Sequence, residues 1–132
     1  MKILVVDDSK TIRVQVEKTI RDSLQDYEIF HAANGFEALE ILQSNPGINI
    51  ILSDINMPEM DGMALAQSVR KKKELNNIEI LFLTTECSKA LKTEAKRIGV
   101  CAWIPKPAKP ALLLSVLERV VTRIFNKAQV SA

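Results

Sequence analysis

The residues that decide the fold are 50–62, which read IILSDINMPEMDG. The apolar run 50–52 is typical of a strand that is buried on both faces, and Asp54 follows it almost at once. Proline and glycine among the residues after Asp54 favour a loop, and a helical pattern begins at Met63. The stretch therefore predicts a buried strand with a carboxylate at its exit.

The same alternation of apolar run and helical pattern recurs along the whole chain. The predicted strands are 3–6, 28–32, 48–52, 78–83 and 100–104. The predicted helical stripes are 12–24, 36–42, 63–69, 88–98 and 113–124, the last opened by Pro110. Five strand–helix units in succession favour a parallel sheet covered by helices on both faces. We therefore predict a doubly wound (βα)5 α/β fold, with 1–132 as a single domain and no output domain.

Composition excludes several classes of protein. The formal charge is +2, from 18 Lys and Arg against 16 Asp and Glu, which is too balanced to favour nucleic acid or an acidic membrane as the main partner. No apolar stretch approaches the roughly 18 residues that membrane insertion requires, and the apolar start is too short for a signal peptide. Cys87 and Cys101 lack metal or redox spacing, so we expect buried thiols in a cytoplasmic protein.

Polar side chains stand at the ends of four predicted strands. They are Asp7 and Asp8, Asp54, Thr84 and Thr85, and Lys106. Ligands of open parallel sheets bind at this edge, so these groups are expected to converge. Three carboxylates would repel one another, and a hard divalent cation resolves the conflict. Carboxylates, a backbone carbonyl and waters suit Mg²⁺, whereas zinc would need histidine or cysteine ligands that the predicted site lacks.

These groups also suit phosphoryl transfer, in which positioning and charge neutralisation provide most of the catalysis. Lys106 could hold a phosphoryl oxygen and Thr84 could donate a hydroxyl. An aspartate can act as nucleophile and form an acyl phosphate, and Asp54 is the natural acceptor because its strand is central.

Each residue also has a structural interpretation. Asp7 or Asp8 could cap the first helix, although Ser9 is also available, and we interpret Asp61 as a turn or cap residue. His31 is interpreted as structural. Ordinary strand-end hydroxyls would account for Thr84 and Thr85, but the joint occurrence of these groups at four strand ends favours a site.

The chain resembles the receiver domains of two-component response regulators, and its stand-alone chemotaxis members most closely. The motifs that carry the resemblance are the acid pair Asp7-Asp8, the stretch Asp54-Ile55-Asn56-Met57-Pro58 with Asp61-Gly62 behind it, Thr84, and Lys106-Pro107. The resemblance covers essentially the whole chain. It implies the flavodoxin-like strand order 2-1-3-4-5, in which Pro105 would lie on an edge strand that tolerates proline.

The resemblance also implies roles for individual residues. Asp54 would accept a phosphoryl group from the phosphohistidine of a sensor histidine kinase. Asp8, Asp54 and the main-chain carbonyl of Asn56 would bind Mg²⁺, with Asp7 binding through water. Lys106, in a cis Lys-Pro bond, would hold the phosphoryl oxygen.

The remaining implied roles concern the switch and its reversal. Thr84 would move toward the phosphoryl group and Trp103, which replaces the usual Tyr or Phe, would swing inward with it. Asn56 and Glu86 occupy positions that tune acyl-phosphate hydrolysis. Ala108 stands where many relatives carry Phe.

The leading hypothesis is a signalling switch rather than a turnover enzyme, although it would promote its own phosphotransfer and autodephosphorylation. Its helix 4–strand 5–helix 5 surface would bind a downstream protein such as a flagellar switch or a phosphotransfer protein, as a monomer or a phosphorylation-dependent dimer. One alternative is a phosphorelay carrier. Another is an aspartate-nucleophile, Mg²⁺-dependent phosphatase, which would need an acid at the position of Asn56. A flavodoxin-like flavin carrier would need a neutral phosphate loop instead of Asp7 and Asp8.

Overall fold

Five parallel strands form one sheet in the computed structural model, which describes residues 1–131 and the side chains as far as residue 129. The strands are β1 Lys2–Val6, β2 Glu28–Ala32, β3 Ile50–Ser53, β4 Glu79–Thr84 and β5 Val100–Pro105. The helices are α1 Lys10–Ser23, α2 Gly35–Ser44, α3 Gly62–Lys71, α4 Lys89–Arg97 and α5 Pro110–Ser131. The order β2-β1-β3-β4-β5 confirms the predicted flavodoxin-like fold.

The strands are buried on both faces, which explains their continuous apolar runs. Side chains alternate along each strand, so Leu4 and Ile51 pack on one face while Ile3 and Leu52 pack on the other. Helices α2, α3 and α4 cover the first face, and α1 and α5 cover the second. The layers hold β1, β3 and β4 in a rigid centre from which the site residues emerge.

Strand β5 lies at the edge of the sheet, as Pro105 predicted. Pro105 is the last residue of β5 and pairs with Thr84, while the register between β4 and β5 shifts near Ile80 and Leu81. The Lys106-Pro107 peptide bond is cis, in agreement with the resemblance.

Side-chain caps define where the helices begin. Ser9 caps α1, with its Oγ accepting a hydrogen bond from the Ile12 amide at 3.3 Å. Asp61 caps α3 by accepting from the Ala64 amide at 2.8 Å, as its structural interpretation predicted. Because Ser9 is the cap of α1, neither Asp7 nor Asp8 is used for that purpose.

Several sequence predictions need correction. Strand β3 begins at Ile50 rather than 48, because Gly47 has a φ of +95° and the Asn49 side chain accepts a hydrogen bond from the Lys2 amide at 2.9 Å. The expectation of a buried thiol was wrong for Cys87, which is exposed in the loop before α4.

Helix α5 continues to Ser131, beyond its apolar stripe at 113–124, and its Arg123 and Lys127 side chains reach Glu79 on β4. His31 is structural as expected, because its Nε2 lies 2.5 Å from Glu17 Oε1 on α1. No helix among the described residues has the length and apolar character needed to cross a membrane.

Candidate functional site

The carboxyl ends of β1, β3 and β5 bring acids and a lysine together. The Lys106 ammonium Nζ lies 2.7 Å from Asp7 Oδ2 and 2.7 Å from Asp54 Oδ2. Carboxylate oxygens of Asp7, Asp8 and Asp54 all lie within 4.8 Å of one another. These four side chains therefore lie together at one edge of the sheet, as the sequence predicted.

The main chain fixes these residues because the hydrogen-bond ladder continues one residue past each strand. The Asp7 amide donates to Ala32 on β2 at 3.0 Å, and the Asp54 amide donates to Val6 on β1 at 2.9 Å. The Lys106 amide donates to the Thr84 carbonyl at 3.0 Å. Each of these three candidate site residues is thus held by a neighbouring strand rather than by a free loop.

Asp7 is held at three of its oxygens. Its Oδ1 accepts from the Ser9 amide at 2.9 Å and its Oδ2 accepts from Lys106. Its main-chain carbonyl accepts from the Arg13 guanidinium at 2.5 Å. Sequence reasoning did not single out Arg13, since an arginine in the first turn of a helix is usually a solvated residue.

Close packing also holds Asp54. Its Oδ1 accepts from the Ile55 amide at 2.7 Å, and its carbonyl accepts from the Ser53 hydroxyl at 2.7 Å. A Cβ added at Gly62 would lie 2.1 Å from that same carbonyl. Glycine is therefore required where α3 begins against the main chain of Asp54, a role that sequence reasoning had reduced to a turn.

Burial and charge distinguish this cluster from an ordinary surface ion pair. Asp7 and Asp54 are only 2% and 8% exposed, whereas Asp8 is exposed to solvent. Burial by itself lowers the pKa of Lys106, but its hydrogen bonds to Asp54 and Asp7 outweigh burial and raise the pKa overall. Lys106 is therefore a fixed cation that neutralises only part of the acidic charge.

The donor set fits a hard divalent cation. All three side chains offer carboxylate oxygens, which Mg²⁺ prefers, and exposed Asp8 gives the cluster access to solvent. Asn56 follows Asp54 by two residues, in the loop that leads to α3, and is exposed to solvent.

A second set of predicted residues is linked through Glu86. Its amide donates to the Thr84 hydroxyl at 3.1 Å, and its carboxylate accepts from the Asn56 side-chain amide at 2.8 Å. Its main-chain carbonyl accepts from the Trp103 indole Nε1–H at 2.9 Å. Thr84 is buried, and Trp103 is partly buried on β5. Trp103 thus contacts the loop after β4 rather than the acids themselves.

A different charged cluster occupies the opposite end of the sheet. Glu79, the first residue of β4, accepts hydrogen bonds from Arg123 and Lys127 of α5. Burial favours a higher pKa for Glu79, but the bonds and charges of Arg123 and Lys127 outweigh it and lower the pKa overall. The cluster borders a groove of about 930 Å³ that shares no residue with the acids.

Comparison with known proteins agrees with this geometry. The model of the response regulator receiver domain family matches residues 3–118. A chemotaxis protein CheY homolog of Campylobacter jejuni is 38% identical over 121 residues, covering 92% of each chain. Chemotaxis protein CheY1 of Helicobacter pylori is 40% identical, covering 92% of this chain and 97% of its own. The structure of Vibrio cholerae chemotaxis protein CheY4 is similar with a TM-score of 0.82 and 42% identity, over 90% of this chain and 97% of that one.

Proposed function

This chain belongs to the response regulator receiver domain family, and we propose that it is a chemotaxis switch controlled by phosphorylation of Asp54. The observation that carries the proposal is the ammonium of Lys106, which lies 2.7 Å from both Asp7 and Asp54 in a largely buried cluster. Receivers of the CheY type are signalling proteins rather than turnover enzymes. The proposal places the protein in the cytoplasm, where a sensor histidine kinase would supply the phosphoryl group.

Asp54 is proposed as the acceptor because its Oδ2 lies at the end of a central strand and is oriented by Lys106. Asp8, Asp54 and the carbonyl of Asn56 would hold Mg²⁺, with Asp7 assisting through water. When bound, the ion neutralises the acids and the incoming phosphoryl oxygens. Asp54 would attack the phosphorus of a phosphohistidine, whose nitrogen–phosphorus bond breaks as the acyl phosphate forms.

Lys106 and Thr84 would then stabilise the new group. Lys106 would exchange its contact with Asp54 for one with a phosphoryl oxygen, a short movement because the two groups are already bonded. For the Thr84 hydroxyl to reach the phosphoryl group, it would give up its bond with the Glu86 amide. Since Glu86 also accepts from Trp103, this exchange supplies a route from the acids to β5.

The output would be a changed surface formed by α4, β5 and α5, which binds a downstream protein such as a flagellar switch or a phosphotransfer protein. The Asn56–Glu86 hydrogen bond supports the proposed role of both residues in setting the rate of acyl-phosphate hydrolysis, because it joins the residue two positions after Asp54 to the residue two positions after Thr84. The protein would act as a monomer or as a dimer that forms on phosphorylation.

Labelling tests the chemistry directly. The purified protein is incubated with acetyl phosphate, with Mg²⁺ or with EDTA, and intact mass is measured. We expect addition of one phosphoryl group only with Mg²⁺, together with a change in the emission of Trp103. Labelling that is equally fast in EDTA would contradict the proposed role of the metal, and absence of labelling under both conditions would contradict the function.

A pull-down with and without beryllofluoride, which mimics the bound phosphoryl group, tests the output. Retention of a flagellar switch protein only with the mimic supports the chemotaxis role. Retention of a histidine phosphotransfer protein instead would identify a phosphorelay carrier.

A further inference from the structure

Lys92 of α4 places its ammonium over the face of the Trp103 ring, with Nζ 5.7 Å from the ring centroid. This distance is within the range of a cation–π attraction, which is strongest for tryptophan. Lys92 is exposed and Trp103 is partly buried, so the contact lies at the surface between α4 and β5.

Two further contacts hold the same ring. The edge-to-face neighbour is Phe82 on β4, with centroids 5.8 Å apart and an interplanar angle of 83°. The indole N–H donates to the Glu86 carbonyl at 2.9 Å. The strand and the loop therefore each restrain the ring, and Lys92 contacts its face from α4.

We infer that Lys92 is a positioning residue that fixes the orientation of Trp103 and couples it to α4. Loss of the ammonium removes one of these three restraints on the ring, so orientations that break the Glu86 bond become more populated. The part of this inference that concerns switching rests on the proposed function, whereas the effect on ring orientation does not. The strength of an exposed cation–π contact corresponds to a shift of about two- to five-fold in that population.

The test uses acrylamide quenching of Trp103, the only tryptophan in the chain. We compare the wild type with Lys92→Gln, Lys92→Arg and Lys96→Gln, the last being an exposed residue of the same helix with the same change of charge. We expect a quenching constant about two-fold higher in Lys92→Gln, because the ring becomes more accessible. Lys92→Arg should restore the wild-type value and Lys96→Gln should not change it.

Equal quenching of Lys92→Gln and Lys96→Gln would overturn the inference, as would failure of arginine to restore the wild-type value. Thermal unfolding of all four proteins checks that the fold is unchanged. The same variants are then titrated with beryllofluoride and Mg²⁺, for which we expect a shifted midpoint only in Lys92→Gln. A wild type that does not respond to beryllofluoride would contradict the proposed function, while the quenching comparison would still decide the role of Lys92.

Discussion

Both ends of the sheet carry a cluster of carboxylates and side-chain cations, but acids are in excess at one end and cations at the other. At the carboxyl ends of the strands, Asp7, Asp8 and Asp54 face Lys106, and three negative charges against one positive charge leave a formal charge of −2. At the other end, one Glu79 faces two cations of α5, which leaves a formal charge of +1. The first cluster keeps a net negative charge that a dication could neutralise, whereas the second already carries a net positive charge.

The cations of the two clusters also differ in their exposure to solvent. The Lys106 side chain is only 15% exposed, so it cannot relax into water when its partners change. The side chains of Arg123 and Lys127 are 47% and 68% exposed, and either can be solvated without its partner. Glu79 therefore helps to hold α5 against the sheet at one end. At the other end, Asp7, Asp8, Asp54 and Lys106 form a charged site that phosphorylation could reorganise.

The largest expected difference between the two ends is in phosphoryl labelling. Asp54→Asn should abolish labelling by acetyl phosphate in Mg²⁺, because the amide oxygen is a far weaker nucleophile than the carboxylate. Glu79→Gln removes the same charge from the other cluster and should label as the wild type does. Intact mass spectrometry measures both, and undiminished labelling of Asp54→Asn would move the acceptor to another residue.

The next effect is on the free energy of unfolding. Lys106→Met leaves two buried carboxylates without their cation, which should cost about 3 kcal/mol in EDTA. Added Mg²⁺ should recover part of the loss, because it replaces the missing positive charge. Urea unfolding measures the change, and Lys127→Met is the matched control at the other end. A similar loss in both variants would contradict the distinction between the two clusters.

The pH dependence follows from the raised pKa of Lys106. A lysine whose pKa is higher in the folded state stabilises fully below its unfolded pKa of about 10.4, and loses this contribution as pH rises through the folded value. The difference in unfolding free energy between wild type and Lys106→Met should thus be constant from neutral pH to about pH 9 and shrink above about pH 10.4. A difference that grows with alkaline pH would contradict the assignment.

Glu79→Gln should destabilise the protein by only about 1 kcal/mol, since Arg123 and Lys127 can turn into water. The loss should also diminish at high salt. Urea unfolding at low and high salt measures both effects. A loss as large as that of Lys106→Met would show that the exposed cations are more constrained than their accessibility implies.

The smallest effect concerns the alkylation rates of the two cysteines, which lie near opposite ends of the sheet. Cys87 is exposed in the loop beside Glu86, whereas burial, reinforced by the charge of Glu79, raises the pKa of the Cys101 thiol to about 11. At pH 8 we expect iodoacetamide to modify Cys87 first, because so little of Cys101 is thiolate. Beryllofluoride with Mg²⁺ should alter the rate for Cys87 only, as peptide mass mapping would show.

Features that depend on local chain order could be predicted from the sequence. The apolar runs located all five strands, because strands buried on both faces need continuous hydrophobic residues. Parallel strands place all their carboxyl ends at one edge, so Asp7, Asp54 and Lys106 could be assigned to one site before any distance was known.

Features that depend on side-chain packing could not be predicted. The contact that requires Gly62, the bond of Arg13 to Asp7, and the contact of Lys92 with Trp103 join residues whose spacing in the chain carries no pattern. The C-terminal end of α5 could not be predicted either, because the apolar stripe stops at residue 124 and the charge pairs of Arg123 and Lys127 with Glu79 follow no sequence pattern.

Strand β5 leaves one row of backbone groups unpaired at the edge of the sheet, and its residues are mostly apolar. Such an edge invites strands of other molecules to add to it, which is how many proteins begin to aggregate. Pro105 removes a donor from this row, and the register shift near Ile80 and Leu81 interrupts the regular pairing next to it. Replacing Pro105 with a β-branched residue would therefore restore that donor and make the exposed strand edge more prone to pair with other molecules.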